Sequence, residues 1–415
     1  MRLRDDAARV YLVMQSTYGF CFTLIVTVNL IYQAATVGLT AFQLVLVGSV
    51  LELVCALCEV PTGALADLVG RRPAIVAGIA LIGAGFTLEG LVPELGAILV
   101  GNVLFGVGAT LTSGAEQAWL TDEVGESAAA RLFLTGARLE NGATLVAIPV
   151  AVLIAQRTIT TPIVLGGLGL VALAVLLAAV MPETRRPIGE GRGLAAGMRA
   201  QVAESLAVVR ATGLVRRLTI VAVVAGAFSE GVDRLSTAHF LRDVGTPAAG
   251  GFEPVVWLGG LFAIQAALSI VVLGRLSGRI ERRGAAGAPS ALACVYVVMS
   301  LSTALFAVSR RFGVAAACSL TGGSARQLEG PLILIGLNPN LRSETRATVI
   351  SMVSQANAAG QIAGGLAIGV VASAASIEWA LLLAAAILLA APFILLRGRR
   401  AEERCRAPGD CPTPS

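Results

Sequence analysis

Carboxylate and guanidinium groups punctuate stretches of this sequence that are otherwise apolar. The first half carries Glu52, Glu59, Glu89, Glu116 and Glu140 in such stretches against a single Arg138. The second half carries Glu230, Asp233 and Glu329 against Arg234 and Arg326. An ionisable side chain at the centre of a bilayer costs about 2.5–3.5 kcal/mol or more, and burial disfavours the charged form of a carboxyl. Each of these residues is therefore a candidate for carrying a proton or for holding a polar solute. The competing reading is structural: an ion pair that fixes helix register and moves nothing.

Depth sorts the candidates. With about 1.5 Å of rise per residue, Glu230 and Arg326 fall near the centres of the seventh and tenth apolar stretches. A Glu230–Arg326 pair facing a solute path is the expected centre of the chemistry, with Asp233 and Glu329 beside it. Arg234, one turn from Glu230 on the same helix face, is the alternative partner. Glu52 lies near mid-membrane, where proton carriage and a water-lined wall are the two readings. Glu59, Arg138 and Glu140 share a level roughly 5–8 Å to the arginine-rich side of centre and are expected to cluster there. Asn29 and Tyr32, with Gln15, Tyr18 and Gln33 on the same stretch, could bond a solute or tie helices together. Asn357 and Gln361 read the same way. His239 falls at a helix end as a satisfied or exposed imidazole.

Other chemistries find no support. Cys55 and Cys58 stand one turn apart with no second pair and no His nearby, so no metal is expected. Neither a phosphate-binding loop nor a nucleophile elbow occurs, which argues against ATP-driven transport and hydrolysis and against an enzyme. No cofactor is expected, and a proton gradient is the natural energy source.

The elements that must position these groups follow from composition. Of 415 residues, 56% are hydrophobic and only 14% charged, with a mean hydropathy of +0.81. Soluble proteins carry roughly 25% charged residues. A membrane helix needs about 20 mostly apolar residues, and twelve such stretches can be drawn. They lie near 11–36, 42–66, 73–92, 95–120, 132–155 and 160–181, then 218–241, 252–275, 286–308, 313–338, 346–373 and 378–396. The fold class expected is all-α: twelve transmembrane helices in two six-helix bundles, 1–181 and 218–396. A linker, 182–217, joins them and a polar tail, 397–415, follows. Within the linker, Leu194, Met198, Val202, Leu206 and Val209 share one face against Arg199 and Arg210, a pattern suited to lying along headgroups.

All 31 basic residues are Arg. Twenty-four lie in the termini, the linker and one set of loops, against Arg157, Arg242, Arg310 and Arg311 in the other set. By the positive-inside rule both termini are cytoplasmic, in a cell membrane. Arg310 and Arg311 run against the trend. The net charge of +5 thus reflects loop arginines and not a nucleic-acid surface. The expected partners are lipid and a small-molecule solute, with the chain acting as a monomer. Trp119, Trp257 and Trp379 fall at helix ends, where interfacial belts place them.

The halves echo each other. Gly63-Ala-Leu-Ala-Asp67-Leu-Val-Gly70-Arg71-Arg72 follows the second stretch, and Gly274 to Arg283 follows the eighth, 211 residues later. Arg131 and Arg346 repeat at a similar offset. On these residues the chain resembles the major facilitator superfamily, whose loop signature 63–72 matches. Glu59 to Gly63, Ser113 to Asp122, Pro182 to Arg186 and Arg346 to Ser351 resemble its twelve-helix, drug-exporter-like branch. The fifth stretch departs from that branch: Leu145, Ile148, Val152 and Leu153 stand around Pro149 where small residues are expected. Small residues gather instead on the eleventh, as Gly360, Gly364, Gly365 and Gly369.

The resemblance implies alternating access by two halves about a central site. It also implies a conformational latch formed by Gly63, Asp67, Gly70, Arg71, Arg72 and Asp122. Asp67 would meet the start of the eleventh helix, and Arg71 the fourth. The expected function is proton-coupled export of a small amphiphilic compound, with Glu230 exchanging the proton. The alternative is uptake or facilitated transport of a polar or anionic metabolite, with Arg326 and Arg234 binding the anion.

Overall fold

The computed structural model describes residues 2–183, 213–247, 251–337 and 343–397. Most of the linker, including its amphipathic stretch, lies outside them, as does the polar tail from residue 398. The described residues form twelve α-helices and no strand.

The first six are α1 (Arg2–Ile31), α2 (Ala41–Val69), α3 (Arg71–Leu91), α4 (Leu95–Val124), α5 (Glu126–Ala155) and α6 (Thr160–Val180). Their ends follow local chemistry. Thr40 and Gln43 cap α2 reciprocally, Gln43 N donating to Thr40 Oγ1 at 3.2 Å and Thr40 N to Gln43 Oε1 at 2.8 Å. Gly70, at φ +113°, makes the turn into α3. The second six are α7 (Gly213–His239), α8 (Pro254–Val308), α9 (Phe312–Arg326), α10 (Glu329–Leu337), α11 (Ser343–Ala374) and α12 (Ile377–Leu388).

Ten helical segments among the described residues are long and apolar enough to cross a membrane. Two of them, 254–272 and 287–308, lie within α8, which is helical throughout although a loop was expected near 276–285. That stretch has no proline until Pro289 to interrupt it. Gln265 and Met299, both within α8, line one cavity. The two expected spans missing from the ten carry the charges. In α7 these are Glu230, Asp233 and Arg234, and α9 and α10 are a single expected span broken at Gln327–Leu328, between Arg326 and Glu329.

The chain forms two compact units, residues 1–198 with 246–263 and residues 199–245 with 264–415. The first therefore takes in the opening turns of α8, which the expected boundaries assign to the second bundle. Glycine explains this contact. A Cβ on Gly259 would stand 2.2 Å from Val152 Cγ2, so α8 supplies the small residue that α5 lacks. Within the first unit, α3 and α4 touch backbone to backbone at Gly85 and Gly101, where a Cβ on Gly85 would meet Gly101 O at 2.5 Å. Within the second, α11 lies against α7 through its glycine face. A Cβ on Gly360 would meet Val223 O at 2.1 Å, and one on Gly364 would meet the Ala227 Cβ at the same distance. Asn357 Nδ2 donates to Ala222 O at 3.2 Å and Gln361 Nε2 to Asn357 Oδ1 at 2.9 Å, so this pair ties α11 to α7.

Two expectations at helix ends change. Trp119 is 2% exposed and donates to Pro182 O at 2.7 Å, so it is a buried anchor for the chain leaving α6, whereas Trp379 is 62% exposed and suits a belt. Arg310 donates to Glu378, which accounts for one of the two arginines that ran against the loop trend.

Candidate functional site

The charged groups of the second unit converge where α9 breaks. α7 presents Glu230, Asp233 and Arg234 within little more than one turn. Glu230 Oε1 accepts from Arg234 Nε at 3.1 Å, and Glu230 is 3% exposed. Arg326, the last residue of α9, reaches Asp233 Oδ1 at 2.5 Å, with the two side chains 38% and 46% exposed. The direct contacts thus form two pairs, while Glu230 and Glu329 also interact electrostatically with Arg326. The reason is helical geometry: residues four apart share a face, which gives Arg234 to Glu230 and leaves Asp233, three residues on, to meet Arg326. Glu329, which opens α10, accepts from the Tyr296 hydroxyl at 2.9 Å.

Two cavities adjoin these groups. The larger, about 680 Å³, is lined by Arg326, Glu329, Gln265, Gln327 and Ser229 among others, and the smaller, about 220 Å³, by Asp233 and four hydroxyl residues. Arg326, Gln265 and Gly323 line both. Energetics separates the two ion pairs. Removing one partner from a buried pair costs about 3–5 kcal/mol, whereas an exposed pair is worth roughly 0–1 kcal/mol. Arg326–Asp233 is therefore the cheaper pair to break, and Glu230–Arg234, within α7, the costlier.

His239 is fully buried. Its Nδ1 lies 2.8 Å from Asp243 Oδ2 and its Nε2 lies 3.2 Å from Phe306 O, so the imidazole is satisfied at the end of α7.

In the first unit the acids meet amides. Gln15 Nε2 donates to Glu116 Oε1, and Gln33 Nε2 donates to the buried Glu89 at 2.7 Å. Tyr32 is itself fully buried and donates to Glu89 O at 2.7 Å, so it ties the π-helical turn Tyr32–Thr36, which follows α1, to α3. Asn29 is half-buried, and Glu52 is half-buried on α2. Glu140 packs on α1, where a Cβ on Gly19 would meet its Cγ at 2.7 Å. Glu59 and Arg138 line different cavities, Glu59 with Asp67 and Arg138 beside Ser16 and Phe20.

The loop motif surrounds its own cavity of about 300 Å³, lined by Glu59, Gly63, Asp67, Arg71 and Ser113. Arg71 donates to Asp122. Arg72 donates to Ala178 O instead of an acid, because the chain leaving α6 lies against the start of α3. Sequence reasoning missed Glu183 here. Its carboxylate accepts from Arg72 N at 3.2 Å and so caps α3, where the helix dipole favours an anion. A Cβ on Gly70 would stand 2.6 Å from that carboxylate. Among the described residues no group of His, Cys, Asp and Glu is arranged to hold a metal ion.

Comparisons with known proteins agree with this architecture. The sequence matches the Major Facilitator Superfamily over residues 11–325. No curated protein sequence matches it. Similar solved structures include the nucleoside transporter NupG, with a TM-score of 0.75 at 13% identity over 96% of this chain and 99% of that one. A bacterial homologue of the human lysosomal transporter Spinster, inward-facing and unoccupied, gives 0.74 at 14% identity over 98% and 99%. The human organic anion transporter MFSD10 gives 0.61 at 17% identity over 94% and 99%. At such identities the likeness is one of fold.

Proposed function

Because this chain belongs to the major facilitator superfamily and is a multi-pass membrane transporter, we propose that it moves a polar solute bearing an anionic group, anchored by Arg326 in the larger cavity of the second unit. The observation that carries this reading is the exposed Arg326–Asp233 pair. Arg326 is the cationic side chain lining that cavity among the described residues, and its present partner is a carboxylate that a solute carboxylate can replace. Gln265, Gln327 and Ser229 supply donors and acceptors for the rest of the solute. Names among the structural neighbours, a nucleoside transporter and an organic anion transporter, support polar cargo.

Proton-coupled export of an amphiphilic compound, which the drug-exporter-like motifs suggest, relied on Glu230 facing the solute path. Glu230 is buried against Arg234, so the cavity favours the anionic alternative. The transport mode proposed is alternating access in a cell membrane with both termini cytoplasmic, driven by an ion gradient. Asp67 and Arg71 act in the latch.

The test is ligand-dependent thermal stabilisation of the purified protein, followed by counterflow in proteoliposomes. The panel pairs small organic carboxylates and nucleosides with the lipophilic cation tetraphenylphosphonium. Carboxylates are expected to bind, and Arg326→Gln to weaken them roughly tenfold or more, the loss of one charge-assisted hydrogen bond. Binding of the lipophilic cation alone, unchanged by Arg326→Gln, overturns the reading.

A further inference from the structure

Resting on that reading of Arg326, we propose that the smaller chamber beside it is a sodium site, built on Asp233 and made available when the solute's anionic group draws Arg326 away. Asp233 lines only the smaller chamber, whereas Arg326 lines both. Four hydroxyl side chains, Ser236, Ser302, Thr303 and Ser319, line the same chamber, among apolar walls that include Phe228, Met299 and Phe306.

Two of these hydroxyls already spend their protons on their own helices. Ser236 Oγ donates to Val232 O at 2.5 Å and Ser302 Oγ to Val298 O at 2.6 Å, which leaves oxygen lone pairs for a cation. Thr303, 6% exposed, also lines the chamber. The helix break adds a carbonyl. Leu328 N bonds Ala325 O at 3.0 Å and Gln327 N also turns to Ala325 O, so Gly323 O, in the wall shared by the two cavities, loses its helical partner.

Oxygen ligands of this kind suit hard cations. A single carboxylate balances one positive charge, which selects sodium over a divalent ion. A proton would need only the carboxyl, whereas a metal ion also uses the lone pairs of the back-bonded hydroxyls. While Arg326 holds Asp233, the guanidinium supplies that charge and repels a second cation. A solute anion that takes Arg326 removes the obstacle. Each ligand therefore raises the affinity for the other, as linkage requires, and the outcome is symport of the solute with sodium.

The experiment removes the guanidinium and uses no organic solute. Full-length wild type, Arg326→Gln, Arg326→Met and the double variant Arg326→Gln/Asp233→Asn are compared by binding of radioactive sodium, with choline chloride holding ionic strength. Gel filtration confirms the folded state of each, and either single variant suffices. Wild type is expected to bind little sodium alone. Arg326→Gln and Arg326→Met bind it, the double variant loses it, and adding Thr303→Val to Arg326→Gln weakens it several-fold. Absence of sodium binding in both single variants, or equal binding in the double variant, overturns the site. So does proton uptake by Arg326→Gln, read with a pH indicator, without sodium binding. The two proposals fail separately. Sodium binding by Arg326→Gln with no effect of organic anions on wild type would leave the site standing and remove the anionic cargo. Anion binding by wild type without sodium binding by either variant removes the site alone.

Discussion

The two units meet their intramembrane acids differently. In the first, Glu116 is met by the amide of Gln15 and Glu89 by that of Gln33, while in the second, Glu230 is met by Arg234 and Asp233 by Arg326. An amide supplies a donor without charge, and a guanidinium supplies both. The second unit therefore sets two of its carboxylates against full positive charges, Asp233 beside a cavity. The first gains hydrogen bonds that join α1 to α3 and α4. The difference lies in the type of partner more than in the number of acids.

Four substitutions test this contrast. Glu230→Ala strands Arg234 in a buried site and is expected to cost about 3–5 kcal/mol of stability. A thermal unfolding midpoint in detergent close to wild type would show that the pair is not structural. Gln33→Leu leaves the Glu89 carboxyl short of one donor, at about 1–3 kcal/mol. A loss as large as that of Glu230→Ala would erase the distinction between amide and guanidinium partners. Asp233→Asn, in the exposed pair, is expected to change stability by no more than about 1 kcal/mol. It should tighten organic-anion binding, because the competing carboxylate is gone, and weaker binding in calorimetry would contradict the exchange of partners at Arg326. Asp67→Asn is expected to leave stability within about 0.5 kcal/mol. Its effect is on the balance of conformations, seen as altered spin-label distances across the arginine-rich ends of the helices, and unchanged distances would remove Asp67 from the latch.

The sequence displayed more of the fold than of the site. Apolar stretches of about 20 residues announce helices because a bilayer leaves backbone groups no other partner. The glycine face of the eleventh stretch announced close packing, although not that α7 was the partner. Arg71 and Asp122 were legible as a pair because both sit at helix ends joined by short loops. The charged centre was not legible to the same degree. Depth along a helix can be counted from the sequence, and it placed Glu230 and Arg326 at one level. Which face each side chain takes depends on helix rotation and on neighbours, and a change of three residues exchanged Glu230 for Asp233 as the partner of Arg326. Glu183 was invisible as a cap of α3 because its approach to Arg72 depends on where the chain lies after α6.

What the sequence determined by itself is therefore what short-range physics controls: the all-helical character and placement of most apolar stretches, the glycine turn at Gly70 and the superfamily. Tertiary structure alone decided that Tyr32 is buried against Glu89, that α9 breaks between Arg326 and Glu329, and that Asp233 and Arg326 stand between two cavities. Those facts depend on side chains far apart in the chain competing for the same few partners. In a medium of low dielectric, the nearest opposite charge wins.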